Sequence, residues 1–270
     1  MTIGVLALQG DYDAHRAMLE IVAQELGAAL RVVTVRDARA LEPCDALVIP
    51  GGESTVMSRL CDRYELWEPL RARLDAGMGA LGTCAGMILL ARNIEGATHN
   101  FTQKTLGALD IDVARNAYGA QADSFETDIA LPAESAQTEA LKTQKSQAPL
   151  SQAESGRDEN EGAVPLHEYA RSHAASDEPD VAENARSGAP PETGPLAVGL
   201  LQETGGGLLR AVFIRAPRIT RCGQNVEVLA RHEGFPVVVR QGRIMAASFH
   251  PEIAGDARLH TLWLRSLQAG

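Results

Sequence analysis

Short runs of apolar residues alternate with amphipathic segments in the first third of the chain. The runs that we interpret as buried strands are residues 3–8, 31–35, 46–50 and 79–82. Between the first two, an amphipathic helix is predicted through His15, Met18, Leu19, Val22 and Leu26, and Gly27 is a natural helix stop. A shorter helix is predicted over residues 87–92. Strands that are apolar throughout and separated by helices indicate a parallel sheet covered on both faces.

The pattern changes after residue 208, where strands follow one another more closely. Residues 211–214 and 226–230 read as strands, and residues 235–249 read as a hairpin that turns at Gln241-Gly242. A helix over residues 256–267 places four apolar side chains on one face: Leu259, Leu262, Trp263 and Leu267. We therefore predict an α/β fold with a mostly parallel central sheet and a strand-rich C-terminal part.

The segment at about residues 130–195 separates these two parts and has a different composition. It is rich in Ala, Ser, Glu, Gln and Pro, and residues 131–198 contain 12 Asp/Glu against 5 Lys/Arg. Its large apolar residues are isolated, so it cannot bury enough surface to offset the entropy of ordering. We expect one domain over residues 1–270, interrupted by a disordered acidic insertion.

Composition and charge narrow the class of protein. The chain has no run of about 18 apolar residues and no signal-peptide pattern at its N-terminus, which predicts a cytoplasmic protein rather than a membrane protein. A net charge of −10 argues against a nucleic-acid partner. Cys44, Cys61, Cys84 and Cys222 are too widely spaced for a zinc site or a disulfide framework. His167 and His173 lie in the insertion and are interpreted as solvated, so we predict no metal and no cofactor.

The strongest chemical signal is Cys84 in Gly82-Thr83-Cys84-Ala85-Gly86, a G-x-C-x-G string between a predicted strand and a helix. This is the cysteine counterpart of the nucleophile elbow, a tight turn that needs small neighbours. The N-terminal amides of the following helix favour the thiolate. A tight turn around an ordinary buried cysteine would give the same string, so the pattern alone indicates only a reactive thiol.

His250-Pro251-Glu252 supplies the partners that a thiol nucleophile needs. Alternate residues of an extended chain face the same way, and a residue before proline is biased to be extended. Glu252 can therefore orient His250, which deprotonates the thiol and later protonates a leaving amine. Cys84, His250 and Glu252 together predict a catalytic triad.

A glycine turn, Gly51-Gly52-Glu53-Ser54, follows the third predicted strand. Two glycines leave backbone N–H groups uncovered, as an oxyanion hole requires. Ligands bind at the carboxyl ends of strands in open α/β sheets, which places this turn beside Cys84. An ordinary glycine turn that begins a helix at Ser54 remains the alternative.

Several strings together resemble the glutaminase subunits of pyridoxal 5′-phosphate synthase, the PdxT/SNO family of class I (triad) glutamine amidotransferases. The matching strings are residues 5–10, 50–55, 82–86, 115–119, 123–126, 213–217 and 248–252. The triad strings point to the superfamily as a whole, whereas Arg-Asn-x-aromatic-Gly at 115–119, Ser-Phe-Glu at 124–126 and Phe-Ile-Arg-Ala-Pro at 213–217 single out the vitamin B6 branch. The resemblance covers about residues 1–128 and 207–268.

The resemblance implies a flavodoxin-like three-layer sandwich that hydrolyses L-glutamine and passes ammonia to a lyase subunit of the PdxS/SNZ type in a hetero-oligomer. Substrate contacts carried over from the family fall on Gly52, Glu53, Ser54, Arg115, Ile214 and Arg215, and site-adjacent or interface positions on Gln9 and Gly10. Arginine suits the α-carboxylate of glutamine because its planar fork can bind both oxygens.

Two features depart from the family pattern. Ala120 stands where the family commonly has arginine, and the acidic insertion lengthens a connection that is usually short. Two alternatives stay open: another cysteine-triad amide hydrolase, such as a γ-glutamyl hydrolase, and a non-catalytic assembly protein whose working part is the insertion.

Overall fold

A computed structural model describes residues 1–96, 102–115, 124–131 and 207–268 of the chain. The expected disorder of the insertion, apart from its first residues, falls outside these ranges, as do His167, His173 and Ala120. The first part of the chain forms, in order, β1 (Thr2–Leu6), α1 (Tyr12–Glu25), β2 (Arg31–Val35), α2 (Ala38–Leu41), β3 (Ala46–Ile49), α3 (Ser54–Arg63), α4 (Trp67–Asp75), β4 (Gly79–Thr83) and α5 (Ala85–Leu90).

The remaining described residues are mostly strands. They form β5 (Ala91–Glu95), β6 (Leu109–Ala114), β7 (Phe125–Ala130), β8 (Leu208–Phe213), β9 (Arg218–Cys222), β10 (Glu227–His232), β11 (Phe235–Gln241), β12 (Ile244–Ala247), α6 (Pro251–Ala254) and α7 (Arg258–Gln268). The strand-rich C-terminal part is therefore confirmed.

The central sheet has seven strands in the order β10-β11-β12-β4-β3-β1-β2. The five strands from β12 to β2 are parallel to one another, and β11 runs antiparallel to both of its neighbours. Parallel pairing of β4 with β3 on one side and β12 on the other brings three carboxyl ends together. Ile49, Thr83 and Ala247, the last residues of these strands, thus end at one edge of the sheet.

Helices cover both faces of this sheet, as the apolar strands predicted. Alternate residues of β3 point to opposite faces: Leu47 and Ile49 join a buried cluster with residues of α3, α4 and α5, whereas Ala46 and Val48 join a second cluster with residues of α1 and α7. The four apolar residues predicted to share a face of the last helix are all buried in the second cluster. The result is a three-layer sandwich.

The structure corrects two local predictions. The helix expected over residues 87–92 ends at Leu90, because Ala91 turns to extended backbone and begins β5, which pairs with β6. The hairpin turn lies one residue later than expected: Gln241 pairs with Ile244, so Gly242 and Arg243 form the loop. Gly242 has φ +57, a left-handed conformation that glycine adopts without strain.

Two small sheets lie outside the central one. One has the order β5-β6-β9, and the other is the antiparallel pair β7-β8, with residues 125–130 paired to residues 213–208. All four cysteines are free, as expected. Among the described helices, none is both long and apolar enough to cross a bilayer.

Candidate active site

Cys84 occupies the turn between β4 and α5. Its backbone has φ +46, a conformation that costs a non-glycine residue about 1–3 kcal/mol. Its amide donates to the carbonyl of Ala247 at 2.8 Å, which ties the turn to the end of β12. A Cβ on Gly86 would collide with the carbonyl of Ile49, and one on Gly82 would lie 2.7 Å from the backbone of Gly86. The small residues of the string are therefore required for this close packing.

His250 and Glu252 meet as predicted, although the local backbone differs from the prediction. His250 is extended (φ −109), but Pro251 begins the short helix α6, so Glu252 lies on a helical turn instead of on a strand. Proline is favoured at the first helical position, because its fixed φ suits the helix and its missing N–H is not needed there. Nδ1 of His250 lies 2.7 Å from Oε1 of Glu252.

The charges of these side chains stabilise one another. Burial disfavours the charged imidazole, but hydrogen bonds with Cys84 and Glu252 outweigh burial and raise the pKa of His250 to about 10. Burial also opposes ionisation of Glu252, yet the contact with His15 and the hydrogen bond with His250 hold the pKa of this carboxyl well below its usual range. A protonated His250 therefore lies between a carboxylate and the sulfur of Cys84.

The glycine turn after β3 packs directly against the imidazole. A Cβ on Gly51 would lie 2.6 Å from Nδ1 of His250 and 3.4 Å from Cβ of Cys84. Gly10 contacts this turn from the other side, since a Cβ on it would collide with the carbonyl of Gly51. Oε1 of Gln9 accepts a hydrogen bond from the amide of Glu53 at 2.8 Å. Gln9 and Gly10 thus hold the turn in place.

A pocket of about 220 Å³ opens onto Cys84. It is lined by Gln9, Gly52, Glu53, Ser54, Cys84, Ile88, Arg115, Ile214, Arg215 and His250. This volume lies below the range of about 300–1,000 Å³ that holds drug-sized ligands, so it suits one small molecule. Nine of the ten lining residues were predicted from the sequence; Ile88, on α5, was missed because nothing distinguishes it from a core residue.

Charged side chains surround the mouth of this pocket. Glu53 is 3.6 Å from Nη2 of Arg115 and 3.8 Å from Nη1 of Arg215, one contact through each carboxylate oxygen. Nη1 of Arg115 is buried and has no hydrogen-bond partner among the described residues. Ser54 donates to Oε1 of Gln103, a second neighbour that the sequence did not reveal. The pocket thus contains two cations, one anion and an unused donor.

Comparison with known proteins agrees with this arrangement. A profile of the SNO glutamine amidotransferase family matches residues 5–154 and 203–269. The chain belongs to the SNO glutamine amidotransferase family. The glutaminase class and the fold predicted from the sequence are thereby confirmed, and residues 155–202 fall outside the family profile.

Members of the SNO family from several bacteria align along nearly the whole chain. A protein named pyridoxal 5′-phosphate synthase subunit PdxT from Acidothermus cellulolyticus is 40% identical over 272 residues, covering 99% of this chain and 94% of the relative. A protein of the same name from Mycobacterium sp. (strain KMS) is 41% identical over 263 residues, covering 97% of this chain and 90% of the relative. A solved structure titled as a glutamine amidotransferase is 32% identical with a TM-score of 0.63, covering 98% of each chain.

Proposed function

We propose that this chain is the glutaminase subunit of a pyridoxal 5′-phosphate synthase, in which Cys84, His250 and Glu252 release ammonia from L-glutamine. The observation that carries this proposal is the contact of His250 with both Cys84 and Glu252 beside a small charged pocket. The names of the bacterial relatives support the vitamin B6 assignment, and the partner that receives the ammonia is then a synthase subunit of the lyase (PdxS/SNZ) type.

The first half of the reaction follows from the charges at the triad. The Cys84 thiolate attacks the amide carbon of the glutamine side chain, and the carbonyl oxygen becomes an oxyanion. His250 then gives its proton to the nitrogen, which leaves as ammonia when the C–N bond breaks. Water, deprotonated by His250, attacks the resulting thioester; the C–S bond breaks to give glutamate and regenerate Cys84.

The glycine turn and the helix start supply donors for the oxyanion. Gly51 and Gly52 carry no side chain that could cover their amides. Ala85 is the first residue of α5, so its amide has no acceptor within the helix. Such preorganised donors contribute about 2.7–4 kcal/mol each to transition-state stabilisation.

Arg115, Arg215 and Glu53 match the zwitterionic end of an amino acid. The unused Nη1 of Arg115 and the neighbouring Arg215 bind the α-carboxylate, and Glu53 binds the α-ammonium. A γ-glutamyl peptide presents the same zwitterionic end but carries a bulkier leaving group. We therefore infer that glutamine is the substrate of this small pocket.

We further infer a single domain in which the acidic segment is attached at a distance from the site. The strands that flank the insertion, β7 and β8, pair from Phe125–Phe213 to Ala130–Leu208. The insertion is therefore attached at the Ala130–Leu208 end of this strand pair. At about 3.4 Å per residue, the other end, which leads to Ile214, is about 17 Å away. Because the entropy of loop closure rises slowly with length, a long excursion there is tolerated.

Ammonia release from glutamine by the full-length chain, alone and with its synthase subunit, tests this proposal. Cys84→Ser should abolish release, while the control Cys222→Ser, at a half-buried cysteine outside the pocket, should retain it. Glutamine-dependent formation of pyridoxal 5′-phosphate should require both subunits. Equal activity of the wild type and Cys84→Ser, or a preference for γ-glutamyl peptides over glutamine, would contradict it.

A further inference from the structure

A second pair of histidines lies behind the triad. Only Oε1 of Glu252 contacts His250; Oε2 lies 3.3 Å from Nε2 of His15, a residue of α1 that is completely buried. The same nitrogen is 3.3 Å from Oγ1 of Thr83, the residue that precedes Cys84. His15 therefore contacts the two segments that carry the triad, although it lines no part of the pocket.

His15 is in turn held by His260 of α7. Nδ1 of His15 lies 2.9 Å from Nε2 of His260, which is also completely buried. Burial lowers the pKa of His260 to about 3, so this ring is neutral and carries a single N–H. Nδ1 of His260 has no hydrogen-bond partner among the described residues. The single N–H of His260 therefore forms a hydrogen bond only if the proton lies on Nε2.

One arrangement of protons places an N–H of His15, and not a lone pair, against the Glu252 carboxylate. His260 donates from Nε2 to Nδ1 of His15, which leaves the proton of His15 on Nε2, directed at Glu252 and Thr83. Glu252, as a carboxylate, can only accept. In this arrangement Oγ1 of Thr83 accepts the hydrogen bond from Nε2 of His15, and Oε2 of Glu252 lies 3.3 Å from the same nitrogen as an electrostatic contact.

We propose that His15 is a positioning residue of the triad, which holds the Glu252 carboxylate through Oε2 so that Oε1 faces His250, with His260 fixing the tautomer of His15. This proposal rests on the proposed role of the triad. Glu252 lies on a single helical turn, so its own element gives it little support. The titratable groups that face it are His250 and His15, with His260 behind His15. Oε2 of Glu252 is buried and forms no well-aligned hydrogen bond among the described residues, so its contact with Nε2 of His15 at 3.3 Å is electrostatic. Without this contact, Glu252 would take up a proton more readily.

Two substitutions at His15 separate positioning from packing. His15→Gln keeps an amide N–H near the position of Nε2, whereas His15→Asn keeps a polar group only near Nδ1. In ammonia release by the full-length chain with its synthase subunit, we expect kcat of His15→Asn to fall about tenfold, which corresponds to about 1.4 kcal/mol of transition-state stabilisation. We expect His15→Gln to recover most of kcat, and KM to change less than twofold in both.

The pH profile provides a readout that packing alone would not move. If Glu252 is less readily ionised in His15→Asn, His250 holds its proton less firmly, and the alkaline limb of kcat/KM moves to lower pH than in the wild type. Melting temperatures of all variants show whether they fold. His260→Gln keeps a donor toward His15, whereas His260→Leu removes it. We expect kcat of His260→Leu to be a few fold lower than that of His260→Gln. This pair of variants tests the proposal if His15→Asn does not fold.

Alkylation of Cys84 by iodoacetamide, followed by mass spectrometry, tests the inference without glutamine. At neutral pH it should be slower in His15→Asn than in the wild type and restored in His15→Gln. A wild-type chain that releases no ammonia would overturn the proposed function but leave this comparison intact. Folded Asn and Gln variants with equal alkylation rates and equal pH limbs would overturn the role of His15.

Discussion

Replacing Gly51 with alanine tests whether the glycine turn sets the position of the imidazole. Gly51 has no positive φ, so alanine strains no backbone angle there. The new methyl group would lie 2.6 Å from Nδ1 of His250, about 1 Å closer than an ordinary contact of roughly 3.5 Å. Either the imidazole or the turn must therefore move by about that distance.

A displacement of about 1 Å at a reacting group costs on the order of 100-fold in rate, so we expect kcat for glutamine to fall by about that factor. The free energy of unfolding should fall by about 1–3 kcal/mol, the usual cost of one extra methyl group in a packed site. KM should change less, because Gly51 is not among the residues that line the pocket.

Gly79→Ala is the matched control. Its methyl group would lie 2.5 Å from Cδ2 of Leu267, at the other end of β4, and Gly79 also has no positive φ. We expect a similar loss of stability with kcat unchanged, measured by ammonia release and by chemical unfolding. Wild-type kcat in Gly51→Ala, or equal losses of kcat in both variants, would refute the argument that contact with His250 matters.

Three further predictions follow from the charges of the site. Glu252→Gln removes the carboxylate that helps to raise the pKa of His250 to about 10, so the alkaline limb of kcat/KM should move to lower pH; an unmoved limb would contradict this. Because the folded-state pKa of Glu252 is lowered, its ionisation stabilises the fold above about pH 4.5 and this contribution is lost on acidification; the wild type should therefore lose unfolding free energy more steeply than Glu252→Gln in acid. Arg115→Lys keeps the charge but not the planar fork and should raise KM for glutamine about tenfold with a smaller change in kcat, whereas the exposed control Arg39→Lys should leave both unchanged.

The sequence predicted those features that depend on local patterns. Continuous apolar strands implied the parallel sheet, and short strings with strict steric demands, such as the one around Cys84, predicted residues that the structure brings together around one pocket. The adjacency of β12 and β4 could only be inferred indirectly, because their parallel pairing joins segments about 160 residues apart.

Several elements were missed. Strands β5, β7 and β9 carry several exposed polar residues, so they lack the apolar signal of a strand, whereas β6 alternates buried and half-buried residues over only six positions. His15 and His260 resemble core positions of amphipathic helices, and nothing local marks them as neighbours. Only the packing of α1 against α6 and α7 brings these residues to Glu252.

The position of β12 in the central sheet, between β4 and β11, also determines when the site can form during synthesis. During synthesis the segment with Cys84 emerges long before His250, and β4 lacks one of its two neighbours until β12 arrives. Such long-range parallel pairing forms slowly, since its loop-closure cost precedes any gain. A nascent chain therefore carries Cys84 without His250 beside it, and the proposed hydrolysis of glutamine must wait for the last strand of the sheet.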